Sequence, residues 1–226
     1  MSHIKRISMP KSWQMKRKEK KFVTSPLPGH MFERGMPLNV IIRDMLKLAT
    51  NNKEVKNILH NKEILVDGER VKENRFIVGL MDTISIPEIE KFYRVLLNKK
   101  GNVDIQEIKK EEAVIKICKI KNKHKNKKDV IQLNLDDGRN ILVKEDKYKT
   151  NDSLLISLPK QEIKDYIELK KKNTIFLIDG KYIGEIGVVE DIKGKVITFK
   201  SKNKKFETLK KYCLVVGRDK PILTIQ

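Results

Sequence analysis

Three Asp-Gly pairs, at 67–68, 137–138 and 179–180, each stand beside short apolar runs. Asp and Gly tolerate the positive φ angles that tight two-residue turns need, so Asp-Gly between two such runs is a strong hairpin signal. The first lies between Glu63–Val66 and Glu69–Val71. The second lies between Val130–Leu135 and Asn140–Val143, and the third follows Thr174–Ile178 and precedes Gly184–Val189. A chain punctuated in this way is built around hairpins. Its 226 residues suffice for two or three small domains with modest cores.

The remaining pattern fills in around the turns. Residues 37–50 predict a helix: Pro37 suits a first helical turn, and Leu38, Ile41, Ile42, Met45, Leu48 and Ala49 make an apolar face. Arg43 and Lys47 are four apart and would share a face of it. A second helix fits 52–61, with Val55, Ile58 and Leu59 inward and Asn52 as N-cap. A strand over Asp82–Ile86 ends at Pro87. Residues 91–169 read mostly as strands, with Glu112–Ile120 alternating, the polar tract Lys121–Lys128 as a loop, and Leu154–Leu158 buried. Residues 173–226 read as a small SH3-like barrel. Its strands fall at 174–178, 184–189 and 195–200, a turn falls at 191–194, and Phe206, Leu209, Tyr212, Leu214 and Val216 complete the core. Gly187, inside a strand, marks a bulge, a bend or a close backbone approach. Gly68 is expected for its positive φ. The expected fold class is α+β, multidomain: a basic N-terminal arm (1–37), a small αα-β module (38–95), a central β-rich domain (96–170) and a C-terminal barrel (171–226).

Charge says what such a chain would bind. There are 50 Lys and Arg against 30 Asp and Glu, a net charge of +20. A surplus of that size repels itself, and a polyanionic partner relieves it. The surplus is concentrated at the ends. Residues 1–37 carry 9 positive and 2 negative side chains, and residues 170–226 carry 14 and 6, against near balance between them. The first segment holds Pro10, Pro26, Pro28, Pro37, Gly29 and Gly35 and no clear apolar period, so it is expected to stay irregular until it meets RNA. Trp13, the only Trp, sits in this basic run and either stacks on a base or docks on the protein's own body.

Other functions find little support. No apolar run approaches the roughly 18 residues of a membrane span, and no secretory leader follows the N-terminus. Cys118 and Cys213 are isolated and fit buried thiols in a reducing compartment. His3, His30, His60 and His124 are scattered, without a Ser-His-Asp pattern, phosphate loop or dinucleotide fingerprint. Asp136-Asp137 fits a turn better than a catalytic carboxylate pair, and Cys118 with His124 falls short of a zinc site. Neither an enzyme nor a metal or other cofactor is expected.

Two stretches resemble known modules. PLNVIIRDMLKLA, ILVDGERV and GLMDTISIPE, within 37–88, resemble the S4 RNA-binding module. IFLIDGKYIGEIGVVEDIKG (175–194) resembles a KOW motif. With MPKSW (9–13), QLNLDDGRNILV (132–143), YKTNDSLLISLP (148–159) and FETLKKYCLVVG (206–217), the whole chain is similar to the archaeal and eukaryotic small-subunit ribosomal protein family S-four-e. The ending at Gln226 leans towards its archaeal members. The resemblance implies a structural ribosomal protein in the cytoplasm. Its partners would be small-subunit ribosomal RNA and neighbouring ribosomal proteins, with no membrane and no small-molecule substrate.

It also implies RNA contact by Arg43, Lys47, Lys53 and Lys56, the face that S4 modules use for the backbone. To these are added Lys5, Arg6, Lys11, Trp13, Lys16, Arg17, Lys18, Lys20 and Lys21 of the arm, Arg70 and Lys72 of the first hairpin, and Lys181, Lys193 and Lys195 of the barrel. The alternatives are a free RNA-binding or assembly factor and an accessory subunit of an RNA-modifying enzyme, since S4-like modules also ride on such enzymes.

Overall fold

The computed structural model describes residues 2–126, 130–202 and 204–225. They form two compact units, one of Met1–Leu97 with Asn102–Val114, the other of Asn98–Gly101 with Ile115–Gln226. The architecture is mostly β-strand with few, short helices.

The first unit begins with strands β1 (His3–Lys5) and β2 (Phe22–Thr24), paired antiparallel. β3 (Gly35–Pro37) pairs later with β6 (Ile77–Gly79). Helix α1 (Leu38–Val40) runs straight into a π-helical turn, Ile41–Met45. The helix expected over 37–50 is therefore shorter. The Leu46 N–H reaches back to the Ile41 carbonyl at 2.9 Å, and Lys47 turns left-handed at φ 54°. Widening the turn tucks Ala49 inward and leaves Leu48 exposed, so the expected apolar stripe is broken at Leu48.

Helix α2 (Asn52–Asn61) buries Val55 and Leu59. Its N-cap is Asn51 rather than Asn52, with Asn51 Oδ1 accepting the Glu54 N–H at 2.9 Å. Glu54 reaches back to the Thr50 N–H at 2.7 Å, which closes a reciprocal cap. The Thr50 backbone N–H, then its hydroxyl, hold the Glu54 carboxyl below its usual range.

A five-stranded sheet follows in the order β5-β4-β7-β8-β9. Its strands are β4 (Leu65–Val66), β5 (Glu69–Arg70), β7 (Thr83–Ile86), β8 (Lys91–Leu97) and β9 (Val103–Glu107). The β4–β5 turn has Asp67 at φ 52° and Gly68 at φ 80°, the doubly positive turn that suits Asp-Gly. Met36, Leu38, Ile41, Ile42, Leu59, Ile64 and Ile84 are fully buried within this unit. Arg94 is buried too, and its Nη1 donates to Glu112 at 3.1 Å.

The second unit has two five-stranded antiparallel sheets. In the first, β10 (Ile115–Lys125) lies at the centre of the order β12-β11-β10-β13-β14. Its neighbours are β11 (Ile131–Leu135), β12 (Asn140–Val143), β13 (Ser153–Ser157) and β14 (Ile163–Ile167). The polar tract expected to be a loop is strand up to Lys125, because Asn122–Lys125 pair with Ile131–Asn134. Ladder hydrogen bonds need only the backbone, and these side chains project mostly into solvent. Lys127 and Lys128 lie outside the described residues. At the other end, Glu112–Val114 is a 3-10 turn rather than the start of the strand.

The other sheet has the order β18-β17-β16-β15-β19. It comprises β15 (Thr174–Leu177), β16 (Ile186–Lys193), β17 (Val196–Ser201), β18 (Lys204–Leu209) and β19 (Cys213–Gly217). Strand β16 continues through Asp191 to Lys193, where a turn had been expected from 191, and the reversal is confined to Gly194 and Lys195. Ile175, Leu177, Val189, Ile197, Phe199, Cys213 and Val215 pack together, with Phe206 partly buried on them. Leu209 is exposed rather than in the core.

Polar side chains are built into this unit. Lys116 and Asp137 form a buried pair at 2.9 Å, and Asp136 Oδ1 accepts the Lys119 N–H at 2.9 Å. Both carboxylates of the Asp-Asp-Gly turn are thus structural. Lys119, 5% exposed, donates from Nζ to the carbonyls of Lys210, Lys211 and Cys213 at 3.1, 2.9 and 2.8 Å. Burial pushes the Cys213 thiol up to about 12, with Lys119 pulling weakly the other way.

Replacing Lys119 by Met removes a donor shared by three carbonyls, and we expect a loss of about 3 kcal/mol. The exposed Lys121→Met change on the same strand should stay within roughly 0.5 kcal/mol. Urea midpoints of the two variants, followed by far-UV circular dichroism, check this.

Candidate nucleic-acid interface

The N-terminal segment is folded. Met9, Trp13 and Val23 are buried, and the Val103 N–H donates to the Ser12 carbonyl at 2.8 Å. This corrects the expectation of an irregular arm: burying a few large side chains and pairing two short strands supplies what its sequence lacked in periodicity. Trp13 is 2% exposed, its Nε1–H donates to the Gly35 carbonyl at 2.9 Å, and its ring lies 5.5 Å from that of Phe32. Of the two readings open for Trp13, the structure has the docked one, and no face of the indole is left for a base.

The basic residues of the segment divide into two groups. Arg6 is 4% exposed and pairs with Glu19 at 3.4 Å. Arg17 donates to the Ile7 and Met9 carbonyls at 2.8 and 3.1 Å. Both guanidiniums brace the fold. Lys5, Lys11, Lys16, Lys18, Lys20 and Lys21 stand exposed. The segment also carries an exposed aromatic not expected from the sequence, Phe22, with Lys21 Nζ 5.4 Å from its ring centre. An aromatic directly after the run Lys-Glu-Lys-Lys was the signal available.

On α2, the buried positions Val55 and Leu59 turn Lys53 and Lys56, three residues apart, into solvent. Arg43 is half-buried and its Nη2 donates to Asp44 at 2.7 Å, so its charge is answered locally. Lys47 is exposed but, being left-handed, continues no helical face with Arg43. Arg70 donates to the His60 carbonyl at 3.1 Å and ties the hairpin to the end of α2, while Lys72 is exposed.

In the second unit Lys181, Lys193 and Lys195 are all exposed, and Lys181 Nζ lies 5.6 Å from the centre of the Tyr182 ring. A Cβ on Gly187 would lie 2.5 Å from Phe199 Cδ2 and 2.9 Å from the Lys200 carbonyl, so that glycine serves close packing of β16 on β17. Beyond these, the β17–β18 hairpin exposes Lys200, Lys202, Lys204 and Lys205. Lys200 faces Lys205 directly across the pair, and Lys205 also meets Glu190 at 2.7 Å. Like charges opposite one another are unfavourable in a sheet, and an anion near them would relieve this. The run Lys-Ser-Lys-Asn-Lys-Lys (200–205) was visible in the sequence, but only its folding into a hairpin brings the two charges face to face.

Among the described residues, no cluster of three or more His, Cys, Asp or Glu could hold a metal ion, and no helix is long and apolar enough to cross a membrane.

Comparison with known proteins places this basic, β-rich architecture. The model of ribosomal family S4e matches residues 89–163, and that of the RS4NT domain matches residues 2–30. The small ribosomal subunit protein eS4 of Methanococcus vannielii is 40% identical over 238 aligned positions, covering 99% of this chain and 97% of that protein. The eS4 of Methanocaldococcus jannaschii is also 40% identical with the same coverage, and that of Methanocella arvoryzae is 40% identical over 97% of this chain. The crystal structure of the 30S ribosomal protein S4e from Thermoplasma acidophilum superposes with a TM-score of 0.72 at 31% identity, covering 81% of this chain and 95% of that one. The chain belongs to the S4e family of ribosomal proteins.

Since Trp13 is a core residue, Trp13→Ala should cost about 3–5 kcal/mol, read as a fall in the denaturant midpoint. Lys18→Ala, at an exposed position, should leave the midpoint within about 0.5 kcal/mol of the parent.

Proposed function

We propose that this protein is a structural constituent of the small ribosomal subunit that binds and stabilises folded small-subunit ribosomal RNA, next to other ribosomal proteins, in the cytoplasm. The carrying observation is 40% identity to eS4 proteins along nearly the whole chain. The exposed lysines of both units supply the physical means.

In this reading residues 38–95 act as an S4-like RNA-binding module. It offers Lys53 and Lys56 of α2, with Lys47 and Lys72 nearby in sequence, to the RNA backbone. Residues 171–226 act as a KOW barrel that contacts RNA through Lys181, Lys193 and Lys195, and residues 96–170 are the β-rich stretch between them. The exposed lysines of 1–37 add electrostatic affinity. The role involves no catalysis and no cofactor; what the RNA requires is a fixed array of positive charge. A-form major grooves are too narrow for side chains to read, so selectivity comes from RNA shape and 2′-hydroxyl and phosphate contacts.

Native lysate is sedimented through a sucrose gradient at high salt and probed for this chain. Migration with the small subunit is expected; retention at the top of the gradient would identify a free RNA-binding factor instead. With purified components, contact with about 8 phosphates gives a log–log salt slope near −7. The double change Lys53→Ala with Lys56→Ala should weaken binding to all RNA sequences alike and reduce that slope by roughly 2.

A further inference from the structure

The β1–β2 pair presents a second kind of contact. Side chains alternate across a strand, and the register sets His3 opposite Thr24 and Lys5 opposite Phe22. These four therefore share one face, while Ile4 and Val23 lie on the other, where Val23 is buried. Phe22 is 47% exposed. The His3 ring meets it edge-on, with centroids 4.7 Å apart and planes at 69°, and Lys21 Nζ lies 5.4 Å from its centre. Single exposed apolar side chains are common on protein surfaces. Here the ring is held on a paired strand by an aromatic neighbour, with exposed Lys5 opposite it in register and exposed Lys21 beside it.

We propose that this face is a stacking site for one unpaired nucleotide of single-stranded RNA. The base lies on the Phe22 ring beside His3, and Lys5 and Lys21 meet its flanking phosphates. The proposal rests on the RNA-binding reading above and adds a site that duplex contact cannot use, because a base must be splayed from its helix to stack on a side chain. The surface charge selects a polyanion. The flat ring selects a planar group on it, and every base offers one, so the site is tolerant of sequence.

The test uses the full chain with two probes, single-stranded oligo(rA) and a duplex RNA of equal total charge, followed by fluorescence anisotropy. Phe22→Leu should weaken oligo(rA) binding about tenfold, within the range that stacking of one base contributes, and leave duplex binding unchanged; Phe22→Tyr should retain both. Equal weakening on both probes, or no change on either, overturns the stacking site while leaving RNA binding in place. If the parent chain binds neither probe, the RNA-binding reading itself fails. A Phe22→Trp variant gives an independent readout. Its new emission, measured over that of the buried Trp13, should be quenched by oligo(rA), and emission that stays unquenched at saturating oligo(rA) overturns the proposal.

Discussion

The second unit depends on a lysine that never reaches its surface. Lys119 extends from β10, the central strand of one sheet, and its ammonium is held by three carbonyls at the start of β19 and in the turn before it, on the other sheet. An ammonium has three donors, and here three acceptors meet them. A second polar link runs beside it, from the Val215 N–H of β19 to Ser153 Oγ of β13 at 3.1 Å. Apolar side chains on the two sheets would tolerate many small shifts of one against the other. Directional bonds to a buried charge do not, because each shift leaves a costly unpaired group. The register between the sheets is thus set by polar groups, and the apolar clusters around Leu133 and Ile156 and around Phe199 and Val215 fill the space that the register defines.

That arrangement explains why the sequence was legible in some places and opaque in others. The first Asp-Gly turn needed only local information, a dipeptide that accepts positive φ between runs that prefer strand, whereas the third pair opens a longer connection from Leu177 to Ile186. Helix α2 was similarly local, down to a one-residue error in its cap, since Asn51 and Asn52 are chemically identical candidates. The first helix failed because periodicity cannot report a π turn; Leu38, Ile41 and Ile42 fit either geometry, and Lys47 gave no sign of turning left-handed. The polarity of Asn122–Lys125 predicts a loop, whereas the partner strand Ile131–Leu135 supplies a ladder that no local window contains. The N-terminal segment failed for a related reason. Its order comes from contacts distant in sequence, Trp13 with Gly35 and Ser12 with Val103, which no window along the chain contains.

The candidate interface shows the same split by residue type. The expected contact set treated Arg and Lys alike, and the structure separates them. Arg6, Arg17, Arg43, Arg70, Arg75, Arg94 and Arg218 each donate hydrogen bonds to a carboxylate or backbone carbonyl of the chain itself. Arg139 lies 3.6 Å from Asp137. That is eight of the nine Arg in the sequence. A guanidinium presents several donors in a fixed plane and is weakly hydrated, so it suits fixed acceptors at the margin of a core. An ammonium is strongly hydrated and sits on a flexible stem, and most lysines remain outside.

This division has a consequence for how such a surface meets RNA. Bidentate reading of guanine edges is arginine chemistry, and the arginines are largely committed to holding the protein together. The exposed lysines suit phosphates, which every RNA sequence presents at the same spacing. In the proposed reading, discrimination comes from where the lysines stand, on α2, on the β16–β17 and β17–β18 turns, and along the N-terminal segment, against the shape of a folded RNA. Arg17 braces the N-terminal segment and Lys119 the second unit, and in the proposed reading such rigidity is what lets a surface of unspecific charges recognise one RNA fold.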